Sequence, residues 1–564
     1  MGFRRMQERV LIVTGGLITS KEHSLLQAAR KLSAQWSAAR SAWLDRKVKL
    51  VMAEPLLAMH LEQAMLFLRP RPIREELQSF FADRANTEAP SLTEVLLATL
   101  LDKVGMPYEL ITLDTLFEKP RRAERLILET TCVFLSTTYL HDLSEVRSVI
   151  GRLKRPHNYI VMGGALAGVI CHQWEGMREI DVLAIGYGEL LIDSLVAWIR
   201  SGYTKLEPPP GGRLARKQHT LFLYSGVPES EDLDFLPVPD WGLAERNHGT
   251  HFKMIYYESV RGCPYRCNFC NYPYLFDDTR FRYKSAAKMA DDWERYAHEL
   301  GVEYITCLDS LFTMPRKRLR EFCRLLIERK VAVKWICYAR ADDLTEEETV
   351  ALMKQAGAHQ VQIGIESGDA TLLKNMNKVC TVEANGRALE NCRKHGLTSI
   401  ISLIVGFPGE TTETLERTYR FLESSPPDFY FLATFSTRVA GVPLLQLENK
   451  QRFGLQVMDN LYSMAPYWRH NSMSCTEVGD HVRALDQRIM RNKVALNASL
   501  FYPWILAYSP RLRDSLLHLQ QRVADKHPAL TAAFDLLNRW VNQRLENDAA
   551  LHFEKGTRFS QSNA

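Results

Sequence analysis

Apolar and polar positions along residues 1–200 alternate between two periods. Short, nearly continuous apolar runs stand at 9–14, 108–113, 132–136, 159–162 and 182–185. Runs of that length, bounded by small or turn-forming residues, predict strands buried on both faces. Between them the apolar residues recur at helical spacing. Leu92, Val95, Leu96, Leu100 and Leu101 form one such stripe, with Ser91 as N-cap, Glu94 completing a capping-box pattern and Gly105 as the stop. This alternation predicts an α/β domain over 1–200 with a doubly wound, Rossmann-like parallel sheet. Residues 22–90, with Trp36, Trp43 and Leu68-Arg-Pro-Arg-Pro72, break the pattern and read as an insertion.

Residues 201–249 read as a linker, and Pro208-Pro-Pro-Gly-Gly212 inside it as a linker or a surface hairpin. The alternation then resumes, with strands expected at 254–260, 303–308, 333–338, 360–366, 399–405 and 429–435. Six β/α units over 250–440 predict a partial (β/α)6 barrel, whose chemistry belongs at the carboxyl ends of its strands. Asp309 and Arg340 end the second and third strands; they are the candidate catalytic residues, weighed against a local salt bridge. Residues 441–564 turn helical, with Leu512, Leu516, Leu517 and Leu519 and later Leu530, Phe534, Leu537, Trp540 and Val541 at helical spacing, and read as a substrate or cap domain. Tyr467-Trp-Arg-His-Asn-Ser472 reads either as a pocket wall or as a packed corner.

Composition narrows the class. The 564 residues are 46% hydrophobic and 24% charged with a net charge of +5, values of a globular protein with no nucleic-acid bias. No apolar run approaches the ~20 residues of a membrane helix. Val10–Thr14 ends in Gly15-Gly16 without a cleavage-like site, so it reads as a strand and not a signal peptide.

The chemistry concentrates in Arg261-Gly-Cys-Pro-Tyr-Arg-Cys-Asn-Phe-Cys270. Cys263, Cys267 and Cys270 make C-x3-C-x2-C, which chance would give about 0.004 times in this chain. Three thiolates so spaced can hold three irons of a [4Fe–4S] cube and leave the fourth open to a ligand that is not protein. A structural zinc site normally takes four protein ligands, and a disulfide knot needs an oxidising compartment. The other cysteines, at 132, 171, 307, 323, 337, 380, 392 and 475, stand singly, mostly in apolar runs, and read as small buried hydrophobes.

This segment resembles the signature of radical S-adenosylmethionine (SAM) enzymes, with Phe269 at the aromatic position that usually touches adenine. The resemblance continues at Val361-Gln-Ile-Gly-Ile-Glu-Ser367, where Glu366 and Ser367 would face SAM, and at Gly406-Phe-Pro-Gly-Glu410, where Gly406 and Gly409 would line the fifth strand's turn. Ahead of it, the small residues at the strand ends resemble those of the superfamily's cobalamin-binding domain: Gly15, Ser136, Thr137, Gly163, Gly164, Gly186, Gly188 and Glu189. Asp240-Trp241 resembles the junction between two such domains. Asp-x-His-x-x-Gly, which supplies a lower cobalt ligand in many cobalamin proteins, is absent. His141-Asp142 does not fit it, and His60, Arg69 and Tyr139 are the candidate neighbours.

The resemblance implies a cobalamin-dependent radical SAM methyltransferase, with the tryptophan C-methyltransferase-like subgroup as one candidate. Its cofactors would be a [4Fe–4S] cluster, SAM and cobalamin. A methyl group would pass from SAM through methylcobalamin to a carbon of a small-molecule or peptide substrate in natural-product biosynthesis. An electron donor such as flavodoxin or ferredoxin is implied, in the cytoplasm, with no nucleic acid and no membrane. Rival readings are a cobalamin-dependent cyclase or ring-rearranging oxidase, a radical SAM enzyme without cobalamin, and a non-catalytic iron–sulfur and cobalamin sensor.

Overall fold

The computed structural model describes residues 8–15, 17–18, 43–82, 89–140, 143–276, 278–437, 442–457, 467–525 and 528–561. Gly16, Trp36 and His141-Asp142 lie outside them. The first sheet holds β1 (Val10–Thr14), β2 (Tyr108–Thr112), β3 (Cys132–Ser136), β4 (Tyr159–Gly163), β5 (Val182–Ile185), β6 (Arg213–Lys217) and β7 (Thr220–Tyr224). Its order is β2-β1-β3-β4-β5-β7-β6. The first five strands are parallel in the order 2-1-3-4-5, whose strand order reverses at β1 and β3. All five residues of β1 are buried, because helices cover both faces.

Two segments differ from the sequence reading. Within the expected linker 201–249, β7 pairs parallel with β5, and β6 closes an antiparallel hairpin on it. Strand β6 is the edge, with four of its five residues exposed, so its Arg- and Lys-rich sequence reads like a linker. The insertion 22–90 supplies helices Trp43–Ala64 and Arg71–Ala82. They belong in space with the C-terminal region: Arg483 bonds Glu54 at 2.7 Å, Arg522 bonds Glu62 at 3.0 Å, and the Trp504 indole donates to the Phe81 carbonyl at 3.0 Å.

The second sheet runs in chain order and is parallel throughout. Its strands are β8 (Met254–Tyr257), β9 (Tyr304–Cys307), β10 (Lys334–Arg340), β11 (Ala358–Glu366), β12 (Thr398–Val405), β13 (Phe429–Thr434) and β14 (Leu496–Asn497). The six expected units are present, and β14 adds a short seventh strand from the C-terminal region. After β14 the chain plugs the barrel floor: Gln360 donates to the Ile505 carbonyl at 2.5 Å and His359 to that of Leu506 at 3.2 Å. Helices Cys475–Arg491, Arg513–Asp525 and Pro528–Gln561 make the C-terminal region mostly helical. Among the described residues no helix is long and apolar enough to cross a membrane.

Candidate active site

The carboxyl ends of both sheets open onto one cavity of about 320 Å³. From the first sheet it is lined by Ser136, Gly163, Gly164, Gly186, Gly188 and Glu189, all expected there from the sequence. Leu96, Leu97 and Leu100 from helix Leu92–Lys103, with Leu191, Ile192 and Leu195 from helix Gly188–Arg200, make its apolar wall. Glu258, Arg261 and Leu308 reach it from the barrel. Gly15 and Thr137 do not line it. The Tyr139 ring fills the place of a Gly15 Cβ, and Thr137 is fully buried with its hydroxyl donating to the Gly163 carbonyl at 2.7 Å. Tyr139 therefore stands at the strand ends. His60 bonds the Leu56 carbonyl and Arg69 bonds Glu62, both on the distant helical layer.

The glycines serve different ends. A Cβ built on Gly163 would make ordinary van der Waals contacts of 3.5 Å and 3.6 Å with Ala184, so the position has room for a side chain. Gly164 and Gly186 have φ of +96° and +97°, so their backbone itself calls for glycine.

Arg261 joins the cavity to the cysteine loop. Its guanidinium donates to Glu189 at 2.6 and 3.1 Å and to Glu258 at 2.8 and 3.1 Å, and lies over the rings of Tyr187 and Phe276. Burial works against the charge on both partners. The pair overcomes it, holding Arg261 well above and Glu189 below their ordinary values.

Cys263, Cys267 and Cys270 follow, all half-buried. Burial raises each thiol, Cys270 to about 11, and Cys263 and Cys270 each also feel the charge of Cys267. Thiols gathered in this way are neutral until iron replaces their protons. Among the described residues no three His, Cys, Asp or Glu side chains converge on a single ion. A cube asks for wider spacing, since each thiolate takes its own iron. Three cysteines within eight residues, one thiolate for each of three irons, are the donor chemistry a cluster takes. The loop is held by the turn at 375–377: Asn268 donates from its backbone to Met376 at 2.8 Å and from its side chain to Asn375 at 2.7 Å, and Asn377 donates to the Arg266 carbonyl at 2.7 Å.

The residues expected to face SAM divide. Phe269 stands edge-on to Phe407 at 6.3 Å, next to the Gly406–Gly409 turn. Glu366 has a left-handed φ of +66° at a bulge in β11, a sparsely populated conformation for a non-glycine residue. Its carboxylate meets Lys378 at 3.2 Å, and both side chains are buried. The Ser367 hydroxyl pairs with Thr418 at 3.2 Å and accepts from the Asp369 backbone. Gly406 and Gly409 have φ of +87° and +95°, and Cβ atoms there would meet Val478 and Asn375 at 2.2 and 2.5 Å. The Gly406 N–H donates to buried Glu410, and His470 donates to the Gly406 carbonyl at 3.1 Å. His470 stacks on fully buried Trp468, so Tyr467–Ser472 is a packed corner.

Asp309 and Arg340 have different places. Asp309 is fully buried and accepts from Ser259 N and Oγ and from Val260 N at 2.6–2.7 Å, bracing the entry to the cysteine loop. It does not face the cavity. Arg340 lies over the Tyr265 ring at 3.7 Å, pairs with Asp342 at 2.9 Å and, with Lys378, opposes the burial that raises Cys267. Lys378 was missed in the sequence. Its neighbours Met376-Asn377 carry no motif, and only the spacing to Glu366 could have pointed to it.

Residues 257–422 match the radical SAM superfamily. The chain thus carries a radical SAM domain. An anaerobic magnesium-protoporphyrin IX monomethyl ester cyclase of Rubrivivax gelatinosus is 29% identical over 58% of this chain and 58% of its own length. An uncharacterised methyltransferase of Pyrococcus horikoshii is 27% identical over 55% of this chain and 67% of its own length. The chain spans between about half and two thirds of the length of the cyclases it matches. The fold is also that of OxsB, a cobalamin-dependent S-adenosylmethionine radical enzyme solved with aqua-cobalamin and SAM bound. The TM-score is 0.56 at 17% identity, over 84% of this chain and 78% of that one.

Proposed function

We propose that this chain is a cobalamin-dependent radical SAM enzyme that transfers a methyl group from SAM to a carbon of its substrate. The observation that carries the reading is the single cavity shared by the strand ends of the first sheet and the barrel rim, two residues from the first cluster cysteine. Cys263, Cys267 and Cys270 would hold a [4Fe–4S] cluster, and Glu366 with the Gly406–Gly409 turn would face SAM. Ser136, Gly163, Gly186 and Gly188 would let a corrin approach the backbone, with the apolar slot behind them taking its tail. Bound cluster and cobalamin would supply reductive chemistry on SAM and a carrier for its methyl group. The protein's share is to position the groups and exclude water.

A second reading is favoured by the cyclase relatives: oxidative ring formation with the same cofactors. Anaerobic reconstitution tests both. Protein loaded with about four irons and one cobalamin is incubated with SAM carrying an isotopically labelled methyl group, and products are weighed. Label in the product supports methylation. An oxidised product without label supports the cyclase, and a protein that takes up no cobalamin removes both.

A further inference from the structure

Three polar side chains on adjacent barrel strands face inward with nothing to bind. Side chains alternate across a strand. On β10, Trp335, Cys337 and Ala339 pack in the core against the outer helices, so Tyr338 and Arg340 point inward. Tyr338 is the register partner of Gln362 on β11, and Gly364 that of Ser402 on β12. Tyr338 keeps 40% of its surface accessible on a central strand of the sheet, and Gln362 and Ser402 are half-buried. Among the described residues none of the three side chains makes a hydrogen bond within the protein. Yet burial pushes the Tyr338 phenol up to about 12. Strand alternation turns this phenol into the barrel, and its 40% exposure shows that it is not packed against protein there. The space it faces lies one two-residue step below Arg340 and the cysteine loop. Leu308, at its rim, is 41% exposed and also lines the cavity of the first sheet.

The charges at the cysteine-loop end of this space are paired. Arg340 is paired with Asp342, Lys378 with Glu366, and Glu258 with Arg261. His359 donates to the Leu506 carbonyl, and Lys334, at the far end, to the Tyr304 hydroxyl. An ionised ligand group would be desolvated there without a counter-charge, whereas an amide or hydroxyl would satisfy three waiting partners.

We propose that Tyr338, Gln362 and Ser402 form the specificity layer of the substrate site and select an uncharged, hydrogen-bonding planar group over its ionised counterpart. This rests on the functional reading above, since it places the substrate between the cysteine loop and the shared cavity.

The test uses full-length protein carrying cluster, cobalamin and SAM, with two matched probe pairs: nicotinamide with nicotinate, and indole-3-acetamide with indole-3-acetate. Equilibrium dialysis should show each amide bound and each carboxylate at least roughly tenfold weaker. Tyr338→Phe with Gln362→Leu should weaken amide binding roughly tenfold while iron and cobalamin contents stay unchanged. Ser402→Ala, a smaller change, should weaken it less. Carboxylates bound as tightly as amides, amide affinity unchanged in the variants, or no amide bound to loaded protein each overturn the proposal. A chain that takes up neither cofactor overturns the functional reading instead; the same probe pairs are then dialysed against the unloaded chain, where amides bound no better than carboxylates overturn this proposal too.

Discussion

Glu410 is 1% exposed, and burial pushes its carboxyl up to about 8 despite the Gly406 N–H, with Asp369 adding to the rise. The folded chain therefore binds this proton more tightly than the unfolded one. Its contribution to stability is full below about 4.5 and is lost as pH rises toward about 8. His470, on the Gly406 carbonyl, is lowered by burial from 6.5, so its own loss comes on the acid side of that value. The window from about 6.5 to 8 belongs to Glu410. Urea midpoints should fall across it in the native chain and stay flatter in Glu410→Gln; equal slopes would remove the argument. The cysteines divide in the same local way. Cys263→Ala, Cys267→Ala or Cys270→Ala should lose cluster iron, because two thiolates do not hold the cube. Cys307→Ala, fully buried in the barrel core, should keep its iron and cost about 1–3 kcal/mol in unfolding.

At the scale of elements, the strand-end glycines separate ligand space from backbone need. Gly163→Leu adds a side chain toward the cavity without a left-handed backbone to strain, so it should lower cobalamin uptake while iron content stays unchanged. Absorbance spectra of the reconstituted variant read both at once. Gly409→Val is expected to injure the fold first. It strains a backbone at φ +95° and strikes Asn375, whose carbonyl holds the cysteine loop through Asn268. The same contrast explains what was legible in the sequence. Strands such as β1 and β3 announce themselves because burial on both faces demands nearly unbroken apolar runs. Strand β6 does not, since an exposed edge has no such demand. The capping box at Ser91 is half made: Ser91 accepts from the Glu94 N–H, but the Glu94 carboxylate goes to Thr14 and His248. Ser367 was expected beside SAM on its motif, yet a neighbouring helix claims its hydroxyl. Motifs fix which residues are near a site; only packing fixes which way they turn.

At the scale of the whole molecule, two of the polar braces between the first domain and the barrel run through different elements. One is Thr14–Glu94–His248, in which His248 lies 2.6 Å from the buried Glu94 carboxylate and comes from helix Trp241–His248. The other is Glu189–Arg261–Glu258, placed in the cavity wall just before Cys263. The second brace fixes both sides of the candidate site, so its loss should be felt as geometry as well as stability. Glu189→Ala leaves Arg261 buried with Glu258 alone, so the cost should fall below the about 3–5 kcal/mol of a buried charge left wholly unpaired. Chemical unfolding should show that loss. Cobalamin retention and the electron paramagnetic resonance signal of the reduced cluster should change with it, because the cavity wall and the cysteine loop both lose their anchor. Glu94→Gln should lower stability while sparing both cofactor signals. If the braces act separately, the double variant's loss in unfolding free energy will equal the sum of the single losses within about 0.5 kcal/mol. A Glu189→Ala protein that unfolds more easily but keeps native cobalamin retention and a native cluster signal would reduce Arg261 to a structural strut. The cavity and the cysteine loop would then have to be positioned by the sheets alone.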